Sequence, residues 1–355
     1  MTAPREETRR EKVLVARTDN AGDVLLAGPA IRAVAARAEV VLLAGPHGST
    51  AARLLPGVSE IITWRAPWID PEPPPVTHEH VDELLTAVRR AAPATAVILT
   101  SFHQSALPLA LLLRLAGVPR IAAISNDYPG SLLDHRHVVD EDADVPEPVR
   151  MLTLATAAGF PLPQGDDGRL AVRRPLPAVG GLTGPPGYVV VHPGVTAPAR
   201  GWPPDLCAQA VTALTRAGHR VVVTGTPGER ALTAHVAGTD ARDLGGATTL
   251  AELAAVLAGA AALVAPNTGP AHLAAAVGTP VVSLFAPVVP AARWAPYGVP
   301  VELLGDQRAP CRSTRARICP IPGHPCLSSV TADDVVTAVH RLTAHRPAAL
   351  EEAIL

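Results

Sequence analysis

The sequence predicts an α/β protein built from two domains, each with a parallel sheet covered by helices. Three observations carry this prediction. Short, nearly continuous apolar runs alternate with longer helical patterns from residue 12 onward, which is typical of parallel sheets buried on both faces. The chain has 355 residues, which suits two domains of ordinary size. A stretch rich in proline and glycine at about 160–187 interrupts the alternation near the middle.

The first half of the chain supplies one sheet. Its apolar runs predict strands at 12–17, 39–44, 58–63, 95–100 and 119–124. The patterns between them predict helices at 23–37, 48–55, 78–91 and 105–116. Because strands and helices alternate, neighbouring strands are expected to be parallel.

The second half repeats this organisation. It predicts strands at 188–192, 220–224, 261–265 and 280–285, with helices near 204–217, 250–257, 271–277 and 332–343. The resulting domain prediction is a disordered tail at 1–11, a first domain at 12–165, a linker at 166–187, a second domain at 188–330 and a closing segment at 331–346. We expect the helix of that closing segment to pack back on the first domain.

Composition excludes several functional classes. The chain is 48% hydrophobic and 17% charged, with a net charge of -2, which argues against disorder and against nucleic-acid binding. Its 30 basic residues include a single lysine, Lys12, near the polar start. A Schiff-base mechanism is therefore not expected, and the chain has no Gly-Lys-[Ser/Thr] phosphate-binding loop.

The sequence also predicts a cytoplasmic protein. No run of about 18 apolar residues could span a bilayer, and the polar start does not resemble a signal peptide. Four cysteines in a chain of this length indicate a reducing compartment. Three of them, Cys311, Cys319 and Cys326, share a loop with His324, but their spacing matches no common zinc site, so no metal is predicted.

The turn after the first strand is the first candidate site. It contains Asn20, Gly22 and Asp23, and the carboxyl end of a parallel strand is where α/β proteins bind ligands. Asp23 could face a ligand there, or it could simply cap the following helix. The Gly-x-Gly-x-x-Gly pattern of dinucleotide enzymes is absent from this turn.

The second domain offers two candidate anion sites. After its first strand, the amides around Gly194, the hydroxyl of Thr196 and the charge of Arg200 could hold a phosphate, or form an ordinary surface loop. Further on, Asn267 and Thr268 precede a predicted helix. The amides of that helix N-terminus could bind an anion, or the turn could be only a capped helix with a buried histidine, His272.

Together these segments resemble family 9 glycosyltransferases, the bacterial lipopolysaccharide heptosyltransferases, over most of 12–340. The similar segments are VLVARTDNAGDVLLAGPAIRAV, HPGVTAPARGWP, DLGGATTLAELAAVLAGAAALVAPNTGPAHLAAAVGTPVVSLF and CPIPGHPCLSSVTADDVVTAV. Each motif alone is weak, but their order and spacing are specific. The resemblance implies the α/β GT-B fold, with two Rossmann-like domains whose parallel sheets face a central cleft.

The resemblance also implies a reaction. A sugar, heptose or a related one, would pass from an ADP-sugar to an acceptor hydroxyl with inversion and without a metal or other cofactor, and Asp23 matches the general base. The acceptor would be a glycan, a glycolipid or a small molecule. GT-B enzymes often work on lipid-linked acceptors at the inner membrane face, so peripheral contact with that face is an expectation, although no basic amphipathic anchor is evident.

The resemblance assigns further residues to binding. Donor and phosphate contacts match Thr196, Arg200, Asn267, Thr268, Gly269 and His272, ribose and base contacts match Glu229, Leu244 and Gly245, and loosely matched acceptor-side residues are Asn20, Gln104 and Arg136. The family commonly has aspartate at the position of Asn267, which is expected to touch the donor sugar, so the sequence leaves that sugar open. It often has lysine at the position of Arg200. Two alternatives are a nucleotide-sugar epimerase of the same fold and a non-catalytic nucleotide-sugar-binding protein.

Overall fold

A computed structural model describes residues 10–344, and the chain divides into two compact units, Met1–Arg169 and Leu170–Leu355. The division falls inside the predicted linker, 166–187. The predicted disordered tail, 1–11, lies outside the described residues apart from its last two. The predicted closing segment, 331–346, is described as far as Ala344.

The described part of the first unit contains one sheet of six strands. They are β1 (Lys12–Arg17), β2 (Glu39–Ala44), β3 (Val58–Thr63), β4 (Thr95–Ile98), β5 (Arg120–Ile124) and β6 (His135–His137). Their order in the sheet is β3-β2-β1-β4-β5-β6, and all neighbours are parallel. The connections change direction between β1 and β4, and sheets of this type bind ligands at the carboxyl ends of such central strands.

Within residues 10–169, six α-helices accompany this sheet. They are α1 (Ala21–Leu26), α2 (Gly28–Ala35), α3 (Ser49–Ala52), α4 (His78–Ala91), α5 (Leu107–Leu115) and α6 (Glu147–Ala157). Leu14 and Ala16 of β1 pack in one core cluster with Leu84 of α4 and Leu109 of α5. All four residues from Val13 to Ala16 are fully buried, which explains why β1 is an unbroken apolar run.

The helix predicted at 23–37 is two helices. α1 ends at Leu26, and α2 begins at Gly28 with Pro29 in its first turn. Proline has no N–H to donate, and within a continuous helix its ring would meet the carbonyl four residues earlier. The chain therefore starts a new helix at this point, and α1 remains a short helix that contains Asp23 of the candidate site.

The second unit repeats the same sheet. Its strands are β7 (Tyr188–Val191), β8 (Val221–Gly225), β9 (Arg242–Gly245), β10 (Ala260–Pro266), β11 (Val281–Leu284) and β12 (Val301–Leu304). They lie in the order β12-β11-β10-β7-β8-β9, again with parallel neighbours. Counted from each unit's first strand, both sheets have the order 3-2-1-4-5-6, so β7 and β10 are the counterparts of β1 and β4.

The helices of the second unit are α7 (Gly180–Thr183), α8 (Pro204–Arg216), α9 (Arg230–Ala237), α10 (Leu250–Ala258), α11 (Gly269–Val277), α12 (Ala291–Trp294), α13 (Pro325–Ser328) and α14 (Ala332–Ala344). Short 3₁₀ turns at Pro198–Arg200 and Pro227–Glu229 follow β7 and β8. No helix within residues 10–344 is long and apolar enough to cross a membrane.

The closing helix α14 packs against α8 and the strands β10, β11 and β12 of the second unit. Its buried residues, Val335, Ala338, Val339 and Leu342, recur at helical spacing and so form one apolar stripe. The contacts described for this helix lie within the second unit, and its predicted packing on the first domain stays a prediction.

Candidate functional site

The first unit's candidate residues lie in the turn between β1 and α1. Asn20 is the N-cap residue of α1, but its side chain makes no capping hydrogen bond. Asp23 is the third residue of the helix, so it does not cap the helix. Its side chain is 22% exposed, so solvent or a ligand can reach the carboxylate.

Arg17, the last residue of β1, holds this turn together. Its side chain is fully buried. The Nη2 group donates hydrogen bonds to Oδ1 of Asp23 at 3.1 Å and to Oγ of Ser101 at 2.8 Å. The same nitrogen lies 2.9 Å from Oδ2 of Asp19. One guanidinium therefore bridges two carboxylates.

Residues after β4 fix Asp19. Ser101 donates from its hydroxyl to Oδ2 of Asp19 at 3.2 Å, and Gln104 donates from Nε2 to Oδ1 at 3.0 Å. The backbone N–H of Ser101 donates to Oε1 of Gln104 at 2.9 Å, which orients that amide. Gln104, predicted on the acceptor side, thus contacts the β1–α1 turn through Asp19.

Charges around Arg17 keep it protonated. Burial alone would lower the pKa of Arg17, but Asp19, Asp23 and Glu147 more than offset burial, and the pKa is raised. Burial raises the pKa of Asp19 against the opposing effect of the Arg17 cation. The sequence reasoning did not single out Arg17, Asp19 or Glu147, since nothing in the local pattern distinguishes them from strand-end, loop and helix-start residues.

The third predicted acceptor-side residue, Arg136, lies on β6, the edge strand of the sheet. Its guanidinium donates to the backbone carbonyls of Ser125 and Asn126 at 2.9 and 2.6 Å. These bonds tie the chain after β5 to the edge strand. The described role of Arg136 is therefore to hold a loop, and its predicted contact with an acceptor stays a prediction.

In the second unit, His192 follows β7 and is buried. Its Nδ1 lies 3.0 Å from Oγ1 of Thr224 at the end of β8. Burial lowers the pKa of His192 to about 4, although the nearby Glu229 carboxylate acts in the opposite direction. At neutral pH the imidazole is therefore uncharged.

Glu229 is positioned by a capping box. Its Oε2 accepts hydrogen bonds from the backbone N–H of Thr226 at 2.7 Å and from the Thr226 hydroxyl at 2.9 Å. The carboxylate also lies against Gly194, where an added Cβ would stand 2.1 Å from Oε1. A side chain at position 194 would therefore require the Glu229 carboxylate to move from its present place.

Leu244 and Gly245 end β9, the strand beside β8. Leu244 is buried, and the N–H of Gly245 donates to Oδ1 of Asp243 at 2.8 Å. An added Cβ on Gly245 would stand 1.9 Å from Oγ1 of Thr233, so this residue must be glycine for α9 to pack on the strand. The predicted base-binding residues therefore sit on the same carboxyl end of the sheet as Glu229.

The turn between β10 and α11 carries the predicted anion site. Thr268 is the N-cap in an extended conformation, with φ of -150° and ψ of 167°, and its side chain makes no capping hydrogen bond. Asn267 and His272 are each 4% exposed. Within residues 10–344, neither Nδ2 of Asn267 nor Nδ1 of His272 has a hydrogen-bond partner. Two buried polar groups thus accompany the N–H of Gly269 at the start of α11; Pro270 has no N–H, and that of Ala271 donates to the carbonyl of Thr268.

Arg200 belongs to the 3₁₀ turn after β7. The pKa of His272 is lowered to about 4, first by burial and then by the nearby Arg200 cation. Thr196, earlier in the loop, is exposed, and its carbonyl accepts a hydrogen bond from Arg317 at 3.4 Å. The β7 loop and the β10–α11 turn therefore present one cation, neutral polar groups and helix amides together.

The three cysteines of the C-terminal loop lie close together. The pKa of Cys326 is raised to about 11, first by burial and then by the neighbouring Cys311 and Cys319. All are free thiols, with Cys311 and Cys326 buried and Cys319 half-buried. In the part of the chain that the structure describes, no group of three or more histidine, cysteine or acidic residues could hold a metal ion.

Solved structures identify the class of this fold. The structure of E. coli ADP-heptose lipopolysaccharide heptosyltransferase II is similar with a TM-score of 0.71 at 21% identity, covering 94% of this chain and 98% of that one. The iron-containing dodecameric glycosyltransferase TibC from enterotoxigenic E. coli H10407 is similar with a TM-score of 0.54 at 16% identity, covering 95% and 76%. The predicted α/β GT-B fold with two parallel sheets is confirmed.

Sequence comparison then gives the family. The model of glycosyltransferase family 9 (heptosyltransferase) matches residues 94–323. Lipopolysaccharide heptosyltransferase 3 of Escherichia coli (strain K12) is 28% identical over 215 residues, which cover 58% of this chain and 59% of that relative. The chain belongs to glycosyltransferase family 9, as the sequence predicted.

Proposed function

We propose that this protein transfers a sugar from an ADP-sugar to an acceptor hydroxyl, with inversion at the anomeric carbon and without a metal. The observation that carries the proposal is the Asp23 carboxylate, held by the buried Arg17 at the carboxyl end of β1 and still 22% exposed. Family membership supplies the reaction class. The thiols, free in the described residues, are consistent with a cytoplasmic setting.

Asp23 acts as the general base in this proposal. A hydroxyl is a weak nucleophile until a positioned carboxylate accepts its proton. As Asp23 takes the proton, the acceptor oxygen forms a bond to the anomeric carbon. The bond from that carbon to the phosphate oxygen breaks, and the nucleoside diphosphate leaves with the electron pair. Attack opposite the leaving group gives inversion.

The second unit stabilises the leaving diphosphate. Negative charge grows on its oxygens as the bond breaks, and preorganised donors stabilise such charge most strongly where water is excluded. Arg200, the hydroxyls of Thr196 and Thr268 and the amide of Gly269 supply these donors. The pKa of His272 is about 4, so its neutral imidazole adds no charge of its own.

Glu229 and the end of β9 bind the nucleoside. A carboxylate accepts hydrogen bonds from both hydroxyls of a ribose, and the Glu229 carboxylate is already oriented by Thr226. In this proposal the backbone groups of Leu244 and Gly245 contact the adenine, since the Leu244 side chain is itself buried. The similarity to ADP-heptose heptosyltransferase II favours adenine and heptose, while Asn267 leaves a related sugar open.

The proposal is tested with ADP-heptose as donor and deacylated lipopolysaccharide core oligosaccharide as acceptor. Asp23→Asn should lower transfer at least about 100-fold while leaving the Kd for ADP within twofold. Asp82→Asn, an exposed carboxylate on α4, is the matched control and should leave both values unchanged. Transfer by Asp23→Asn within a few-fold of wild type would remove the general base.

Arg200→Ala is the companion variant for the diphosphate. It should weaken ADP binding by about 1.5 to 3 kcal/mol, measured by calorimetry, because a charge-assisted contact is lost. Arg216→Ala, an exposed arginine at the end of α8, is its control. Unchanged ADP affinity in Arg200→Ala would exclude Arg200 from the site.

Stoichiometric metal in the purified protein, lost together with activity on chelation, would refute metal independence.

A further inference from the structure

The buried pair of carboxylates around Arg17 allows an inference that rests on the proposed function of Asp23. The two carboxylates differ in the contact that each makes with Nη2 of Arg17. That nitrogen carries two hydrogens, and these go to Asp23 and to Ser101. Oδ2 of Asp19 lies 2.9 Å from the same nitrogen and forms an ion pair with it, but neither of those two hydrogens points to Asp19.

Asp19 and Asp23 are held differently. Both oxygens of Asp19 accept hydrogen bonds from elsewhere, Oδ2 from Ser101 and Oδ1 from Gln104. For the Asp23 side chain, the bond from Arg17 is the one hydrogen bond described within residues 10–344. The orientation of Asp23 therefore depends on Arg17, whereas Asp19 stays anchored without it.

We propose that Arg17 is a positioning residue that orients Asp23, and that Asp19 is a fixed second carboxyl partner that limits how tightly Arg17 binds Asp23. A guanidinium paired with Asp23 alone would stabilise the carboxylate but make it a weaker base. A second carboxylate on the same nitrogen shares that attraction. Asp23 is then held in one orientation without being bound by Arg17 alone.

The other charged groups near Arg17 fit this assignment. Glu147, the first residue of α6, is fully buried and contributes to the raised pKa of Arg17. Arg150 lies 3.9 Å from Glu147 and donates to Glu141 and to the carbonyl of Thr100 at 2.7 Å. The charged groups facing Arg17 from the turn, α1 and α6 are thus Asp19, Asp23 and Glu147.

A purely structural role for Arg17 makes a different prediction. If the bridge only stabilises the turn, its loss lowers stability and activity, but changing either partner has the same kind of effect. If Arg17 and Asp19 tune Asp23 in opposite directions, the two changes move its protonation in opposite directions. The sign of the change separates the two roles.

The experiment follows the protonation of Asp23 directly, in the full chain labelled with ¹³Cγ-aspartate. The Asp23 signal is assigned by its loss in Asp23→Asn, and its titration midpoint is measured by NMR. In Arg17→Gln the midpoint should move up by about 1 to 3 pH units, because the neighbouring cation is gone. In Asp19→Asn it should move down by about 1 unit, because the like charge is gone.

Two variants guard against misfolding as the explanation. Arg17→Lys keeps the charge, so its midpoint should stay closer to wild type than that of Arg17→Gln. Arg32→Gln removes a different partly buried arginine of the same unit, which pairs with Asp166 at 2.7 Å, and should cost stability without moving the Asp23 signal. If Arg17→Gln does not fold, the downward shift in Asp19→Asn still decides.

The acidic midpoint of the kcat/KM profile with ADP-heptose should shift as the NMR signal does. Midpoints that do not move, or that move in the same direction in Arg17→Gln and Asp19→Asn, would overturn the proposal. Opposite shifts in the NMR signal with no transfer by the wild-type protein would leave this electrostatic assignment intact and refute the proposed function instead. The two failures are therefore distinguishable.

Discussion

Replacing Gly194 by alanine should displace Glu229 and weaken ADP binding through the ribose. A Cβ at position 194 would stand 2.1, 2.4 and 2.6 Å from Oε1, Cδ and Oε2 of Glu229. These distances are far below van der Waals contact, so the carboxylate must move. The end of a glutamate side chain moves easily, and the main cost is the loss of what the carboxylate does in its present place.

The structure sets the size of two effects. The displaced carboxylate gives up its bonds to the Thr226 N–H and hydroxyl, at 2.7 and 2.9 Å, which should cost about 1 kcal/mol of stability because the capping box is exposed. If Glu229 binds the ribose hydroxyls, its displacement should also cost about 2 to 3 kcal/mol of ADP binding, or about 30- to 150-fold in Kd.

The assay is calorimetry with ADP and with pyrophosphate, which lacks the ribose. Gly194→Ala should weaken ADP binding and leave pyrophosphate binding unchanged. Gly228→Ala is the matched control, because it lies in the same 3₁₀ turn as Glu229 and an added Cβ there meets nothing within 4 Å. In a Glu229→Ala background, Gly194→Ala should have no further effect on ADP. Equal losses for ADP and pyrophosphate, or an undiminished effect in that background, would refute the reasoning.

Two further predictions concern the turn that carries Asp23 and the buried histidine. A Cβ on Gly45 would stand 2.3 Å from the backbone oxygen of Thr18, so Gly45→Ala should shift the β1–α1 turn. The free energy of unfolding should fall by about 1 to 3 kcal/mol in denaturant titrations, and transfer should decrease while ADP affinity is unchanged. An altered ADP affinity would contradict this prediction. The folded pKa of His272 is about 4, below its usual 6.5, so its contribution to stability is complete above about pH 6.5 and is lost as pH falls toward 4. The free energies of unfolding at pH 7 and pH 5, measured by denaturant titration, should therefore differ by about 2 kcal/mol less in His272→Gln than in wild type. An equal difference would show that His272 is not buried as a neutral group.

Strands buried on both faces were predictable because their apolar runs are continuous. The bounds of β1, β2 and the edge strand β3 agree with the prediction, and those of β4, β5, β7, β8, β10 and β11 differ from it by at most two residues at either end. Three strands gave no apolar run and were not predicted, namely β6, β9 and β12. Each lies at an edge of its sheet, where part of the strand meets solvent and polar residues are tolerated.

The site was predictable only in part, because its partners are distant in sequence. Asp23 and Asn267 stand out by their place after a strand. Arg17, in contrast, reads as an ordinary strand end. Its contact with Ser101 joins residues 84 positions apart and follows from the parallel pairing of β1 with β4. Glu147 is still further along the chain, so local patterns could not reveal this buried charge cluster.

The two units place opposite electrostatics at equivalent ends of the same sheet topology. In the first unit, the carboxyl groups of Asp19, Asp23 and Glu147 all act on the buried Arg17, and Arg150 lies 3.9 Å from Glu147. An acceptor hydroxyl is neutral, and in the proposed function it delivers its proton to Asp23 there.

In the second unit, burial keeps His192 and His272 neutral at physiological pH, since the pKa of each is about 4. A neutral imidazole adds no repulsion toward a cation such as Arg200, which can then remain beside His272 and the first-turn amides of α11. The acidic Glu229 is already engaged by Thr226. In the proposed function an anion is stabilised in the second unit and a proton is accepted in the first, and the charges of the described residues favour this division.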